Sequence, residues 1–139
     1  MTTARHAINA YVQTGIETGV PEADSHRLVQ MLFEGAVASI TEARIKLGRG
    51  DIAGRGAAIS KAISIVEQGL RGSLDLARGG EIASRLEALY RYIVSRLLHA
   101  NLHAQEKPLE EAGTLLTELQ AAWAQIGPAQ PAAAAALRG

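Results

Sequence analysis

The chain has 139 residues, the length of one domain able to bury roughly two-thirds of its unfolded surface. Fourteen basic and fourteen acidic residues cancel, so no global field draws in nucleic acid or anionic lipid. The absence of cysteine excludes disulfides, thiolate nucleophiles and cysteine-based zinc sites, and one Trp, three Tyr and one Phe are too few for a base-stacking platform.

Charge is nonetheless uneven. Over residues 25–50, Arg27, Arg44, Lys46 and Arg49 outweigh Glu34 and Glu42 to give +2. Over residues 104–127, Lys107 stands against Glu106, Glu110, Glu111 and Glu118 to give −3. The opening MTTARHAINAY lacks the apolar stretch of a signal peptide, and no run reaches the ~18–20 apolar residues of a membrane span. A cytosolic protein without membrane insertion is the expectation.

In residues 1–24, Ile8, Tyr11, Val12 and Ile16 fall at helical offsets, but Gly15, Gly19 and Pro21 oppose a long helix. An arm or short helix that caps the downstream helices is expected there. Asp24 and Ser25 are good N-caps for a first long helix that stops at Gly48-Arg49-Gly50. Its seam is Val29, Phe33, Ala36, Ile40, Ala43 and Leu47, flanked by Leu28, Met31, Leu32 and Val37. That apolar arc is broader than one neighbour requires.

Asp51 caps a second helix whose stripe runs through Ile52, Ile59, Ile63, Val66, Leu70 and Leu74, with Gly79-Gly80 as the expected stop. Ile82, Leu86, Leu89, Ile93, Leu97 and Ala100 form a third stripe ending near Asn101. Pro108 suits the first turn of a fourth helix, striped by Leu109, Ala112, Leu116, Leu119, Trp123 and Ile126. Gly127-Pro128 ends it, and the Pro/Ala-rich 128–139 has little to bury. Short connections force antiparallel neighbours. The expected fold is all-α, an antiparallel four-helix bundle over 25–127 with a 1–24 arm and a 128–139 tail.

Little in this pattern does chemistry. His99 and His103 share a helix face but lack a third metal ligand. His26 has no indicated nucleophile or carboxylate partner, and reads as a surface residue or partner contact. The paired Glu-x-x-His of di-iron bundles and the Gly-rich phosphate loop are both missing. No enzyme, metal, cofactor or nucleic-acid partner is expected. Gly35, Gly54, Gly56, Gly69 and Gly72 sit inside helices, each costing about 0.5–1 kcal/mol relative to Ala. They fit either close packing within the bundle or a shallow groove for a foreign helix. The arc of Leu28, Met31, Leu32 and Val37 fits the groove as well as the core.

Three blocks, SHRLVQMLFEGA at 25–36, the stretch from Arg49 to Leu102, and LLTELQAAW at 115–123, resemble the flagellin-specific export chaperones of bacteria, the FliS family. AYVQTGIET around Tyr11 is similar to that family's tyrosine-bearing N-terminal arm. Ser25 stands where the family commonly has Pro, Phe33-Glu34 where it has Tyr-Asp, and Arg91 where an acidic residue is frequent. The resemblance implies a cytosolic chaperone that binds the C-terminal segment of flagellin, prevents premature polymerisation and delivers it to the flagellar type III export apparatus. It implies neither nucleotide nor metal, and an export-gate component as second partner.

The contact residues expected from the arm and the matching blocks are Tyr11, Ile16, Gln30, Met31, Glu34, Lys61, Tyr92 and Asn101. The arm is expected to fold back over spare apolar surface until a client displaces it. The rival reading is a dimerisation module in which two free copies pair through the same arc, without flagellin.

Overall fold

The computed structural model describes residues 22–126. The 128–139 tail and nearly all of the 1–24 arm, with Ile8, Tyr11, Val12 and Ile16, lie outside the described residues.

The first helix, α1, spans Glu22–Gly48, starting a turn earlier than the Asp24 and Ser25 signals suggest. It ends where glycine allows it: Gly50 takes φ 69°, and Asp51 N–H returns to the Lys46 carbonyl at 3.0 Å. Asp51 then caps α2, Ile52–Ser64, its carboxylate accepting from Gly54 N–H at 2.8 Å.

The helix does not continue unchanged. A π turn covers Ile65–Leu70 and a 3-10 turn Arg71–Ser73. Ala62, Val66 and Leu70 are all fully buried, yet four-residue steps overshoot a 3.6-residue turn and drift off a seam. The wider π turn keeps them in line. It also brings Gly69 under Leu32 of α1, where a Cβ would come within 2.9 Å of Leu32 Cδ2.

The third helix, α3, spans Leu76–His103. The chain therefore reverses at Leu74-Asp75, and not at the expected Gly79-Gly80 stop. Asp75 is the reason: its carboxylate accepts from Arg78 N–H at 3.0 Å and starts a helix before the glycines are reached. Gly80 still interrupts, at φ 56° and ψ −132°, a conformation that only glycine adopts without strain. At the other end α3 runs two residues past Asn101 and stops with Ala104 in the left-handed region, φ 51°. The fourth helix, α4, follows at Glu106–Ile126, with Pro108 in its first turn.

The connections at 49–51 and 104–105 are tight, so neighbouring helices run antiparallel. α1 packs on α2 and α4, and α3 on α4 and α2, so the four form a ring. Phe33, Ile40, Ile59, Ile93, Leu97, Leu109 and Leu116 fill its centre. Fully buried Ala36, Ala43, Ala62, Ala83, Ala100 and Ala112 let the backbones approach. The expected seams lie inward over most of their lengths, but Ile52 of α2 and Ile82 of α3 are exposed.

Two polar devices tie α4 to its two neighbours in the ring. His26 on α1 stacks on Trp123 of α4, with ring centroids 4.5 Å apart and planes 17° apart. Their hydrogen bonds are reciprocal: His26 Nε2–H donates to the Trp123 carbonyl at 2.8 Å, and Trp123 Nε1–H to the His26 carbonyl at 2.9 Å. His26 is thus an internal clasp residue, with its ring already engaged.

At the adjacent seam, Tyr92 of α3 donates to Glu111 Oε2 of α4 at 2.6 Å and Arg96 to Glu111 Oε1 at 2.7 Å. The tyrosine hydrogen bond, with Arg96 assisting, holds the Glu111 carboxyl below its usual range; the same bond first, then burial, raises the Tyr92 phenol.

The close approach at Gly69 makes Gly69→Ala an overpacking change that destabilises the fold by about 1–3 kcal/mol. Gly56 lies mid-helix, and a Cβ there would meet nothing nearer than Asn101 Oδ1 at 4.0 Å. Gly56→Ala is therefore expected to stabilise by about 0.5–1 kcal/mol. Urea unfolding midpoints of the two variants should move in opposite directions.

Because Glu111 is more acidic folded than unfolded, its contribution is present above the unfolded value, near 4.5, and is lost as pH falls through the folded one. Melting curves of Glu111→Gln should lie below the parent at pH 7 and converge on it as pH falls through the folded value.

Candidate partner-docking surface

The N-terminal half of α2 and the C-terminal half of α3 run side by side, and their outward edges form a shared face. Arg55 of α2 fixes the pairing: its Nε donates to Asn101 Oδ1 and its Nη2 to the Asn101 carbonyl, both at 3.2 Å. Gly56, the next residue of α2, adds no bulk beside this pair: even a Cβ there would lie 4.0 Å from Asn101 Oδ1.

On this face apolar side chains stand in solvent. Leu98 is 56% exposed, Leu102 80% and Ile52 70%. Leu98 and Leu102 are one turn apart, off the inward seam of Ile93, Leu97 and Ala100. The interior beside them is already filled, so nothing within the described residues can bury them. An apolar strip with a guanidinium–amide tie at its base accepts an amphipathic helix, and offers no nucleophile, base or metal ligand set. His99 and His103 are in contact, ring centroids 4.4 Å apart, and His99 Nε2 lies 3.2 Å from Gln105 Oε1. Among the described residues no group of three or more metal-binding side chains converges, and no helix is long and apolar enough to cross a membrane.

The residues expected from sequence to contact a partner do not gather at one point. Tyr11 and Ile16 lie outside the described residues. Gln30, Met31 and Glu34 lie on α1: Met31 and Glu34 are exposed, while Gln30 is half-buried with an unpaired Oε1. Lys61 is exposed on α2. Tyr92 and Asn101 are nine residues apart on α3, a half-turn around the axis, so one faces α4 and the other α2. Of the arc on α1, Leu32 and Val37 pack against the core and Leu28 is half-buried. Met31 alone is largely exposed.

Sequence reasoning passed over Leu98 and Leu102 and assigned Ile52 to the core. The signal was there: once Ile93, Leu97 and Ala100 define the inward stripe, two leucines four apart remain with no inward role.

The family described as "Flagellar protein FliS" matches residues 7–130 of this chain. The flagellar secretion chaperone FliS of Salmonella typhimurium is 45% identical over 121 residues, covering 87% of this chain and 90% of that protein. FliSB of Pseudomonas aeruginosa, also a flagellar secretion chaperone, is 40% identical over 120 residues, with 86% and 94% covered. FliS of Escherichia coli is 39% identical over 120 residues, with 86% and 88% covered. With a match over most of its length, an all-helical bundle and a solvent-facing apolar strip in place of reactive chemistry, the chain belongs to the FliS family of flagellar secretion chaperones.

Proposed function

We propose that this protein binds the C-terminal helical segment of flagellin in the cytosol, prevents its premature polymerisation and delivers it to the flagellar export apparatus. The observation that carries the reading is the strip of Leu98, Leu102 and Ile52 on a bundle whose core is already complete. A secreted filament subunit supplies the matching chemistry, because an amphipathic terminal helix has no partner for its apolar face until the filament forms. Laid along the α2–α3 face, it would cover the two leucines, approach the backbone at Gly56 and find Asn101 and Arg55 as polar orienters. Tyr11 and Ile16 of the arm, Met31 and Glu34 of α1, and Lys61 extend the surface a wrapping client would use.

Burying a leucine side chain contributes about 1.5–3 kcal/mol, and each 1.4 kcal/mol is tenfold in affinity. The strip is thus large enough to matter and small enough to permit release.

Titration calorimetry against the C-terminal segment of the same organism's flagellin should show one-to-one binding with a negative heat-capacity change. The double variant Leu98→Asp/Leu102→Asp should weaken binding by roughly 100-fold or more. Its thermal stability should hold, since both positions are exposed. Unaltered affinity in that variant would displace the docking surface. Absence of binding together with concentration-dependent self-association would favour a dimerisation module instead.

A further inference from the structure

Where α3 gives way to α4, two imidazoles come together beside an amide oxygen. His99 and His103 lie one turn apart on α3, their ring centroids 4.4 Å apart and their planes tilted by 49°. Ala104 then enters the left-handed region at φ 51°, and Gln105 N–H returns to the Ala100 carbonyl at 3.1 Å. That reversal folds residue 105 back against the helix it has just left, and Gln105 Oε1 comes within 3.2 Å of His99 Nε2. Helical spacing alone puts two histidines on one face; the turn adds an oxygen donor that spacing does not show.

We propose that this cluster binds an exchangeable divalent transition ion of the zinc, copper and nickel class. With metal–ligand bonds of about 2.1 Å, neighbouring donors stand ~3.0 Å apart at a right angle and ~3.4 Å at the tetrahedral angle. The 3.2 Å between His99 Nε2 and Gln105 Oε1 falls between these separations. On the same bond length two imidazoles sharing an ion have centroids ~4.6–5.3 Å apart, so the 4.4 Å pair needs only a small opening. His103 is exposed, and its ring can turn to offer a nitrogen to the same point. In the free protein a proton on His99 Nε2 bridges to the glutamine oxygen. On binding, the ion takes that place and the ring keeps its proton on Nδ1.

Imidazole nitrogen suits this class of ion, whereas calcium and magnesium require a shell of oxygens that the cluster lacks. The last carbonyls of α3 add negative potential at the helix end, which favours a cation. Arg96, one turn before His99, is already paired with Glu111 at 2.7 Å. Two imidazoles are fewer than a resident metal requires, so water fills the remaining positions and the ion exchanges. Once bound, it clamps the last turn of α3 to the reversal that follows. Leu102, 80% exposed, stands on that turn between the two histidines. The ion thus stiffens one end of the apolar strip, whichever partner the strip carries.

The test uses the untagged full-length protein, ¹⁵N-labelled and titrated with zinc chloride, with magnesium chloride as the control ion. Zinc should produce saturable, one-to-one shifts in the imidazole nitrogens of His99 and His103 and in the backbone amides of residues 99–105. The His26 imidazole, stacked on Trp123, should not respond. His103→Ala, at an exposed position, should keep the rest of the spectrum and weaken zinc binding at least tenfold, a loss that even outer-shell partners bring. Zinc should also raise the melting temperature of the parent more than that of His103→Ala. Should His103→Ala not fold, His99→Ala removes the other imidazole. The proposal is overturned if millimolar zinc gives no saturable shift at these residues, if magnesium matches it, or if a folded His103→Ala or His99→Ala binds zinc undiminished.

Discussion

Closure of α4 onto α1 is the constraint on which the bundle depends. Each helix has one broad apolar face and two neighbours, and the ring is complete only when the last helix returns to the first. His26 and Trp123 make that contact specific, since stacking and two opposed hydrogen bonds satisfy both polar groups at once. A leucine pair would bury comparable surface yet tolerate sliding of α4 along α1. The reciprocal bonds fix the register, and the register decides that Ile40 meets α4 at Gly113, where a would-be Cβ lies 3.5 Å away.

The tight interior dictates what is left outside. With alanine at the points of closest approach there is no volume for further leucines, so Leu98 and Leu102 remain in solvent. What that face presents to solvent is therefore apolar area. The surface ion pairs, such as Arg44–Glu106 at 2.9 Å and Arg85–Glu81 at 2.6 Å, are exposed and contribute little to either stability or affinity. A chain of zero formal net charge with such a face exerts little long-range electrostatic pull, so salt changes its surface interactions only weakly.

Much of the fold was legible because helical periodicity is a strong signal over long segments. Phe33, Ile40, Ile93, Leu97, Leu109 and Leu116 read as core from spacing alone, and they are core. The reading failed where one local interaction outranked another. Gly79-Gly80 looked the sole stop, but the second helical stretch already ends at Ser73; Asp75 caps one turn from Leu76, and Gly80 then breaks that turn from the rest of α3. The π turn left no trace in periodicity, because it preserves the inward stripe that an α-helix would lose. His26 was opaque for another reason: its partner lies 97 residues away, beyond the reach of any spacing argument. Residues chosen for polarity within matching blocks, such as Tyr92 and Asn101, proved to be engaged by Glu111 and Arg55 inside the molecule.

The brevity of the connections has a kinetic consequence. Three residues separate α1 from α2 and two separate α3 from α4, so each hairpin forms between segments that are neighbours along the chain. Contacts of that kind are made early, because little loop entropy opposes them. The α1–α4 contact spans nearly the whole domain and is the natural last step. Until it closes, the faces of two hairpins stand open, and the apolar stripes that the ring will bury are briefly left in water.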